Sequence, residues 1–335
     1  MKKFLKASVL VSVMVLLAFT VVGCGGQDAE KESGAKEQAS EPVDISIATG
    51  GTSGTYYPLG SAVATVVNEA KLDINATAES TGGSVENARL ILQNAADFGF
   101  IESGIAKWAY NGEEMFEGNP VENIRGVIAL YPNTMQTVVK VNSGIESYAD
   151  LKGKRVAIGV QGGSTPLNME FTLDQYGISL DDIKPEYLGY GEAMQLLKDN
   201  QLDAVLVDSG APSSSIIDIS TQHEVRILPI EADVVSKMKE SYPFFADSYV
   251  IPAGTYKGID QDIPTTGSKV MIAVSADVPD EVVYNVVKTM FESKEKIVNV
   301  HEAGKSIQLE TALDTIAIPL HPGAEKYYKE QGLIE

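Results

Sequence analysis

Polar and apolar residues follow one another in a pattern that predicts a strand, a polar loop and a helix. Residues 44–48 alternate polar and apolar side chains, as a short strand does. Residues 59–70 place apolar side chains at helical spacing. Between them, residues 49–58 read Thr-Gly-Gly-Thr-Ser-Gly-Thr-Tyr-Tyr-Pro. Thr55 is predicted to cap the helix, and Pro58 falls in its first turn, where a missing N–H is harmless.

This unit of strand, polar loop and helix recurs along the chain. The strands and loops of the later units are 73–79 with 80–84, 155–159 with 161–166, and 204–207 with 208–212. Glycine lets the backbone approach a ligand, and a helix start offers unpaired N–H groups, so each loop is a candidate anion site. One such loop is equally compatible with a tight turn. Four of them predict helix starts that meet at one crevice beyond the strand ends.

The remaining pattern predicts further strands and helices that extend two α/β units. The expected strands are 98–101, 127–131, 137–139, 184–188, 225–230 and 269–275. The expected helices lie near 106–109, 193–197, 234–238, 280–291, 295–300 and 324–331. The first unit ends near residue 139, and the second ends near residue 250.

The N-terminus has the pattern of an export signal. Three lysines precede an apolar segment at 7–22, and Val-Val-Gly-Cys follows at 21–24, which resembles the lipobox of bacterial lipoproteins. The resemblance implies cleavage after residue 23 and lipidation of Cys24, a terminus that anchors a protein without spanning the membrane. Residues 24–42 are polar and lack an apolar period, which predicts a disordered tether.

Composition excludes several classes of function. The chain of 335 residues has a formal charge of −20, which argues against binding to nucleic acid. Its single cysteine excludes internal disulfides and sites built from several thiolates. The three histidines (His223, His301 and His321) are far apart and lack metal-ligand spacing.

Motifs of common enzymes are missing from the sequence. It contains no Gly-x-Ser-x-Gly and no phosphate-binding Gly-x4-Gly-Lys, and the Gly-Tyr-Gly at 189–191 lacks the third glycine of a dinucleotide loop. We therefore expect binding without chemistry, with no cofactor and no metal. His321 lies between Leu320 and Pro322, which favours a packing role over catalysis.

An ordered set of motifs resembles the TAXI branch of solute receptors for TRAP transporters. The motifs lie at 49–60, 82–87, 150–155, 202–204 and 318–324, and the resemblance extends from residue 43 to the C-terminus. It implies an α/β, two-lobed periplasmic-binding-protein fold of type II-like form. Each lobe would have a mixed sheet with flanking helices and a hinge between the lobes. Lobe 1 would comprise residues 43–139 plus 251–335, and lobe 2 residues 140–250.

The same resemblance implies a function. The protein would capture a small carboxylate solute, a glutamate-like amino acid or a dicarboxylate, and deliver it to the permease of a TRAP transporter. Cys24 would anchor it to the outer face of the bacterial cell membrane. Three alternatives remain open: a receptor for an ABC importer or a membrane sensor, a secreted enzyme with deaminase-like chemistry, and a structural adhesin.

The family's ligand contacts fall on the polar loops. Transferred to this sequence, they are Thr52, Ser53, Thr55, Tyr57, Ser84, Asn87, Glu102, Ser103, Gly163, Ser164, Thr165, Asp208 and Ser209. The arginines are Arg89, Arg125, Arg155 and Arg226, and none lies in these loops, so backbone N–H groups and hydroxyls are expected to bind the carboxylate.

Three positions depart from the family pattern. The third loop reads Gly-Gly-Ser-Thr at 162–165, which displaces a hydroxyl by one residue, Glu102 stands where glutamine is common, and Asn133 where glutamate is common. The Glu102 carboxylate would either accept an α-ammonium group or point away from the ligand.

Overall fold

The computed structural model describes residues 42–243 and 248–335 as a mixed α/β structure. Its strands are β1 (Val43–Ala48), β2 (Ile74–Glu79), β3 (Phe98–Glu102), β4 (Ile124–Lys140), β5 (Arg155–Ala157), β6 (Lys184–Glu186), β7 (Ala204–Ser209), β8 (Val225–Leu228), β9 (Tyr249–Ile251), β10 (Ile263–Thr265) and β11 (Gly267–Ser275). Its α-helices are α1 (Tyr56–Glu69), α2 (Ser84–Leu92), α3 (Ser103–Asn111), α4 (Thr165–Gln175), α5 (Tyr190–Lys198), α6 (Ser214–Gln222), α7 (Ala232–Ser241), α8 (Asp280–Glu292), α9 (Lys294–Val300) and α10 (Pro322–Glu330). The predicted signal sequence, Cys24 and most of the predicted tether lie outside the described residues.

One large sheet connects the two α/β units. Its strand order is β2-β1-β3-β11-β4-β7-β5-β6, and β8 also pairs with β4. The first half of the sheet contains β1, β2, β3, β11 and the N-terminal part of β4. The second half contains the rest of β4 with β5, β6, β7 and β8. The last third of the chain thus returns to the first half, because β11 pairs antiparallel with both β3 and β4.

The directions of the strands bring the ends of both halves to the middle of β4. The strands β1, β2 and β3 are parallel to one another, as are β5, β6 and β7, but β7 runs antiparallel to β4. At the end of β3, Glu102 pairs with Val270 of β11. The neighbouring β11 residue, Lys269, pairs with Pro132 of β4. At the end of β7, Ser209 faces Thr134. The loops after β3 and β7 therefore converge on one point of the sheet.

Strand β4 is one element of 17 residues, where the sequence predicted two strands at 127–131 and 137–139. Pro132 lies between those two segments and faces Lys269 of β11. Proline cannot donate a hydrogen bond to a sheet, and the register of β11 shifts directly after Lys269. Between the pairs Lys269–Pro132 and Met271–Ala129, β4 contributes one residue more than β11, so the irregularity is a bulge in β4, and the strand continues beyond it into the other half.

The chain crosses between the halves twice. Strand β4 exchanges β11 for β7 at Thr134, where both pair with it. The return crossing lies at 265–267, between β10 and β11, and Thr266 O accepts a hydrogen bond from Met135 N at 2.9 Å. The two crossings thus lie beside each other. The first comes before the boundary predicted after residue 139, and the second comes after the boundary predicted after residue 250.

Helices cover both faces of each half. Helices α1, α8, α9 and α10 pack on one face of the first half, and α2 and α3 on the other. In the second half, α4 and α7 cover one face, while α5, α6 and the segment from Ile251 to Ile263 cover the other. The apolar stripes predicted from the sequence are the buried faces of these helices.

Three of the motifs behind the family resemblance stabilise the fold and lie away from the carboxyl ends of the strands. Arg155 forms a two-pronged contact with Asp203, at 3.1 Å from Nε to Oδ2 and 2.7 Å from a terminal nitrogen to Oδ1. This contact lowers the pKa of Asp203. His321 is fully buried, and its Nδ1 accepts a hydrogen bond from Gly323 N at the start of α10. The three motifs therefore have a structural role.

Within residues 42–243 and 248–335, the structure has no helix with the length and apolar character that crossing a bilayer requires.

Candidate functional site

A cavity lies where the strand ends of the two halves converge. It measures about 100 Å³, and because a buried water needs only ~10–15 Å³ on this scale, several waters or one small organic molecule would fit. The residues that line it come from both halves: Gly50, Gly51, Gly54, Thr55, Tyr56, Thr81, Gly82, Gly83, Ser84, Asn133, Val160, Ser164, Thr165, Leu188, Gly189, Tyr190, Asp208 and Ser209.

Four helices begin at this cavity. They are α1 after Thr55, α2 after Gly83, α4 after Ser164 and α5 after Gly189, and none of these capping residues makes a side-chain cap hydrogen bond. The first N–H groups of a helix need partners and carry a partial positive charge. The fourth polar loop, at 208–212, differs from the prediction. Asp208 and Ser209 at the end of β7 line the cavity, but the fourth helix that begins there is α5 and not α6, which follows this loop.

Thr55 connects the two halves. Its backbone N–H donates to Ser209 Oγ at 3.1 Å, and the two hydroxyl oxygens lie 2.9 Å apart. Thr55 occupies the predicted N-cap position of α1, but its hydroxyl contacts the other half of the sheet and does not cap the helix. The predicted capping role of its side chain is therefore wrong.

Glu102 is the centre of a buried polar network behind the cavity. Its side chain belongs to the first half, and Ser164 Oγ of the second half donates to its Oε1 at 2.6 Å. Asn133 Nδ2 donates to the same oxygen at 3.1 Å, and Asn168 Nδ2 donates to Oε2 at 3.2 Å. The two residues that depart from the family pattern, Glu102 and Asn133, are thus direct partners. Ser164, which carries the hydroxyl displaced by one residue in the third loop, contacts the same Glu102 oxygen.

Asp208 lies on the other side of Asn168. Asn168 Nδ2 donates to Asp208 Oδ2 at 2.6 Å, and the Tyr190 hydroxyl donates to the Asp208 backbone oxygen at 2.8 Å. Burial, followed by the negative charge of Glu102, raises the pKa of Asp208 well above its usual value. Burial and the charge of Asp208 also raise the pKa of Tyr190, whose hydroxyl lies 3.0 Å from Thr165 Oγ1.

The structure brings only part of the predicted site together. Among the predicted residues, those that line the cavity are Thr55, Ser84, Ser164, Thr165, Asp208 and Ser209. Glu102 contacts this group from behind. Asn87 is buried, and its amide donates to the backbone oxygens of Thr49 and Phe100 at 2.7 and 2.8 Å. Asn87 thus joins β1 to β3.

The other predicted residues lie beside the cavity. Ser103 is buried, with its hydroxyl 3.3 Å from that of Thr315. Thr52 is exposed, and Ser53 and Tyr57 are half-buried in the first loop and first turn of α1. Gly163 packs its backbone against Gly82 of the opposite half. A role in ligand binding stays a prediction for each predicted residue.

Tyr56, Asn133, Asn168 and Tyr190 belong to the site and were not among the predicted contacts. Tyr56 and Tyr190 are the first residues of α1 and α5, so the helix starts were the signal for both. Asn168 follows Ser164 by one helical turn and lies on the same face of α4. Asn133 is in the middle of β4, and its signal in the sequence was its departure from the family pattern, in which glutamate is common at this position.

The charges of the site are all acidic. The cavity lining contains no lysine, arginine or histidine among the residues that the structure describes. The same residues hold no cluster of three or more histidine, cysteine, aspartate or glutamate side chains suited to a metal ion. The chemistry on offer is hydrogen bonding by helix starts, hydroxyls and amides, together with two buried carboxyl groups.

The class of fold follows from this architecture. The chain has a mixed α/β fold in which helices cover both faces of one sheet. A model of the NMT1-like family matches residues 47–332, and the chain belongs to that family.

Three solved structures are similar to this chain, and at these sequence identities the similarity concerns the fold alone. The periplasmic aliphatic sulphonate binding protein SsuA from Escherichia coli is 17% identical, with a TM-score of 0.48, over 86% of this chain and 83% of that one. A protein from Bordetella bronchiseptica RB50 is 16% identical, with a TM-score of 0.50, over 86% and 89%. An ancestral arginine-binding protein bound to arginine is 14% identical, with a TM-score of 0.49, over 80% and 100%.

Proposed function

We propose that this protein is an extracytoplasmic solute receptor that binds a small carboxylate-bearing solute, either a glutamate-like amino acid or a dicarboxylate, without altering it chemically. The observation that carries the proposal is the meeting of four helix starts at one cavity between the two halves of the sheet. Helix N-termini with free N–H groups are ready-made anion sites. The carboxylate of the solute lies at the starts of α1, α2 and α4.

The two halves act as lobes that close on the solute. The crossings at Thr134 and at 265–267 lie side by side and serve as the hinge. Thr55 with Ser209 and Glu102 with Ser164 are contacts between the halves at the cavity. A solute that touches both halves favours the arrangement in which these contacts form.

The partner of the closed receptor is the permease of a TRAP transporter. This assignment rests on the ordered motifs of the TAXI branch. The first and second of them border the cavity, whereas the Arg155–Asp203 and His321 motifs stabilise the fold. Cys24 carries the lipid that holds the receptor at the outer face of the bacterial cell membrane.

A thermal-shift screen tests the receptor role. The protein is first unfolded and refolded to remove any solute that copurifies, then heated with amino acids, dicarboxylates, keto acids and sulfonates. A solute that binds the folded state raises the melting temperature by mass action, by an amount that grows with its concentration. A protein whose melting temperature responds to none of these classes is not the proposed receptor. A response to sulfonates alone would replace the carboxylate by another anion.

A further inference from the structure

Two buried carboxyl groups face each other across the boundary between the halves. Glu102 ends β3 in the first half, and Asp208 lies near the end of β7 in the second. Their side chains are 2% and 4% exposed, so neither is solvated by bulk water. One amide connects them, since Asn168 Nδ2 donates to Glu102 Oε2 at 3.2 Å and to Asp208 Oδ2 at 2.6 Å.

No positive side chain balances this pair among the described residues that contact it. The titratable groups that face it are the hydroxyls of Tyr56 on α1, Tyr131 on β4 and Tyr190 on α5. The pKa of each tyrosine is raised, chiefly by burial, so all three stay neutral. Helices α2 and α4 contribute only hydroxyls and an amide. Two ionised carboxylates in such surroundings are costly, and a proton or a cation must offset one of them.

Two hydrogen-bond acceptors in the cavity wall are still open. Asp208 Oδ1 and Asn133 Oδ1 are buried and accept no hydrogen bond from the described residues. Both residues line the cavity, and both lie next to Glu102. A buried acceptor without a donor is unfavourable, so these two atoms point to a ligand group that donates.

We propose that Glu102, Asp208 and Asn133 form a subsite for the protonated amino group of the solute, which displaces a proton shared by the two carboxyl groups. The proposal rests on the proposed function and narrows the solute to a small amino acid. An ammonium group has three donors, enough for both open acceptors and Glu102. On binding, the proton leaves the pair for the solvent and the ammonium group takes its place, so the total charge at the acid pair is unchanged, while the solute's carboxylate adds one negative charge at the helix starts.

A dicarboxylate fits this subsite poorly. It would bring a further negative charge beside two carboxyl groups that have no cation near them, in a region of low dielectric constant. A zwitterion places its carboxylate at the helix starts and its ammonium group at the acid pair. The Glu102 side chain therefore decides between the two solute classes that the sequence left open.

Calorimetry with matched solutes tests the subsite. Each of the twenty standard L-amino acids is titrated, and the tightest is compared with the same molecule lacking its amino group, such as glutarate for L-glutamate. We expect the deamino acid to bind at least about tenfold more weakly, since it loses charge-assisted hydrogen bonds. A smaller loss overturns the subsite and leaves the receptor role intact. Binding by none of these solutes nor by any anion of the thermal-shift screen would overturn both.

Proton release gives an independent measurement on the wild-type protein. The binding heat of the tightest amino acid is measured in buffers of different ionisation enthalpy between about pH 4 and 8, a range that begins near the ordinary pKa of an aspartate and extends well above it. Below the raised pKa of Asp208, we expect release approaching one proton and an affinity that rises with pH. Binding without proton release throughout this range would contradict the exchange.

Two substitutions link the effect to the pair. Asp208→Asn should abolish the proton release, because an amide does not titrate in this range. Glu102→Gln should lower the affinity for the amino acid at least about tenfold and the affinity for the deamino acid much less. Glu281→Gln, an exposed acid on α8 remote from the cavity, is the matched control and should change neither. Equal losses for both solutes in Glu102→Gln would mean that Glu102 only supports the fold.

Discussion

At the scale of the residue, the hydroxyls at the helix starts carry the proposed anion recognition. Ser84 Oγ accepts a hydrogen bond from Glu102 N at 3.2 Å and lies 3.3 Å from the Tyr56 hydroxyl. Thr165 Oγ1 lies 3.0 Å from the Tyr190 hydroxyl. Each hydroxyl therefore orients a neighbouring group of the cavity as well as lining it, one in each half of the sheet.

We predict that Ser84→Ala and Thr165→Ala each weaken solute binding by about 5–30-fold, the equivalent of one hydrogen bond of about 1–2 kcal/mol. Calorimetry with the solute found in the screen measures the change. Ser236→Ala is the control, because this exposed hydroxyl bonds only to Ala232 O of its own helix. If both cavity variants bound within about twofold of wild type, the hydroxyls would have no part in recognition.

The raised pKa of Asp208 predicts how the stability of the folded protein depends on pH. Its pKa is raised in the folded protein, so its contribution is most favourable below the unfolded value of about 3.9 and is lost as the pH rises through the folded value. Without solute, Asp208→Asn should therefore melt higher than wild type at about pH 8, by at least ~2 °C, and gain less at about pH 4. Thermal melts at the two pH values test this. An equal change at both would show that the charge of Asp208 does not matter.

Sequence reasoning located site residues wherever a strand end or helix start marked them. Ser84, Ser164 and Asp208 were found in this way. Asn87 was assigned to the ligand, and in the structure its buried amide donates to backbone oxygens that join β1 to β3, so a ligand role for it stays a prediction. Asn133 was not among the predicted contacts, since its role depends on how β4 is paired and not on its neighbours in sequence.

At the scale of the element, the local pattern was sufficient for most strands and helices. The predicted strand at 44–48 is β1, and the predicted helices at 280–291 and 295–300 are α8 and α9. The continuous strand β4 was not predicted, because Pro132 interrupts the pattern, whereas in the structure β4 bulges beside Pro132 and continues. The short ribbon of β9 and β10 was also not predicted, since three-residue strands carry too few positions for a period.

The third loop packs the backbone of one half against the backbone of the other. A Cβ atom added to Gly163 would lie 2.7 Å from the backbone oxygen of Gly82. Next to it, Glu86 N donates to Gly162 O at 2.9 Å. A side chain at position 163 would thus separate α2 from the loop before α4, because the backbone oxygen of Gly82 belongs to the opposite half.

We predict that Gly163→Ala lowers solute affinity at least about tenfold, because overpacking this contact costs about 1–3 kcal/mol in the closed arrangement. Its melting temperature without solute should change much less if the lobes open. Ser236→Ala on α7, away from the cavity, is again the control and should change neither the affinity nor the melting temperature. Calorimetry measures the affinity, and thermal melts measure the stability without solute. Wild-type affinity in Gly163→Ala would mean that binding does not require this contact.

At the scale of the whole molecule, the architecture follows from the opposed directions of two sets of parallel strands. Because β7 runs antiparallel to β4 while β3 runs parallel to it, both sets of carboxyl ends meet at the centre of β4. The sequence predicted modules whose helix starts meet at one crevice, and the family resemblance implied two lobes. The order of the strands, which decides this, depends on contacts between distant segments that no local pattern contains.

The central claim is that a solute is held between the two halves by the starts of α1, α2 and α4. A crystal structure of the protein grown with the tightest amino acid from the calorimetric comparison tests it most directly. The account predicts density for one molecule in the cavity, with its carboxylate within hydrogen-bond distance of Ser84 or Thr165 and its amino group beside Glu102 and Asp208. A solute bound elsewhere, or one that touches a single half of the sheet, would contradict it.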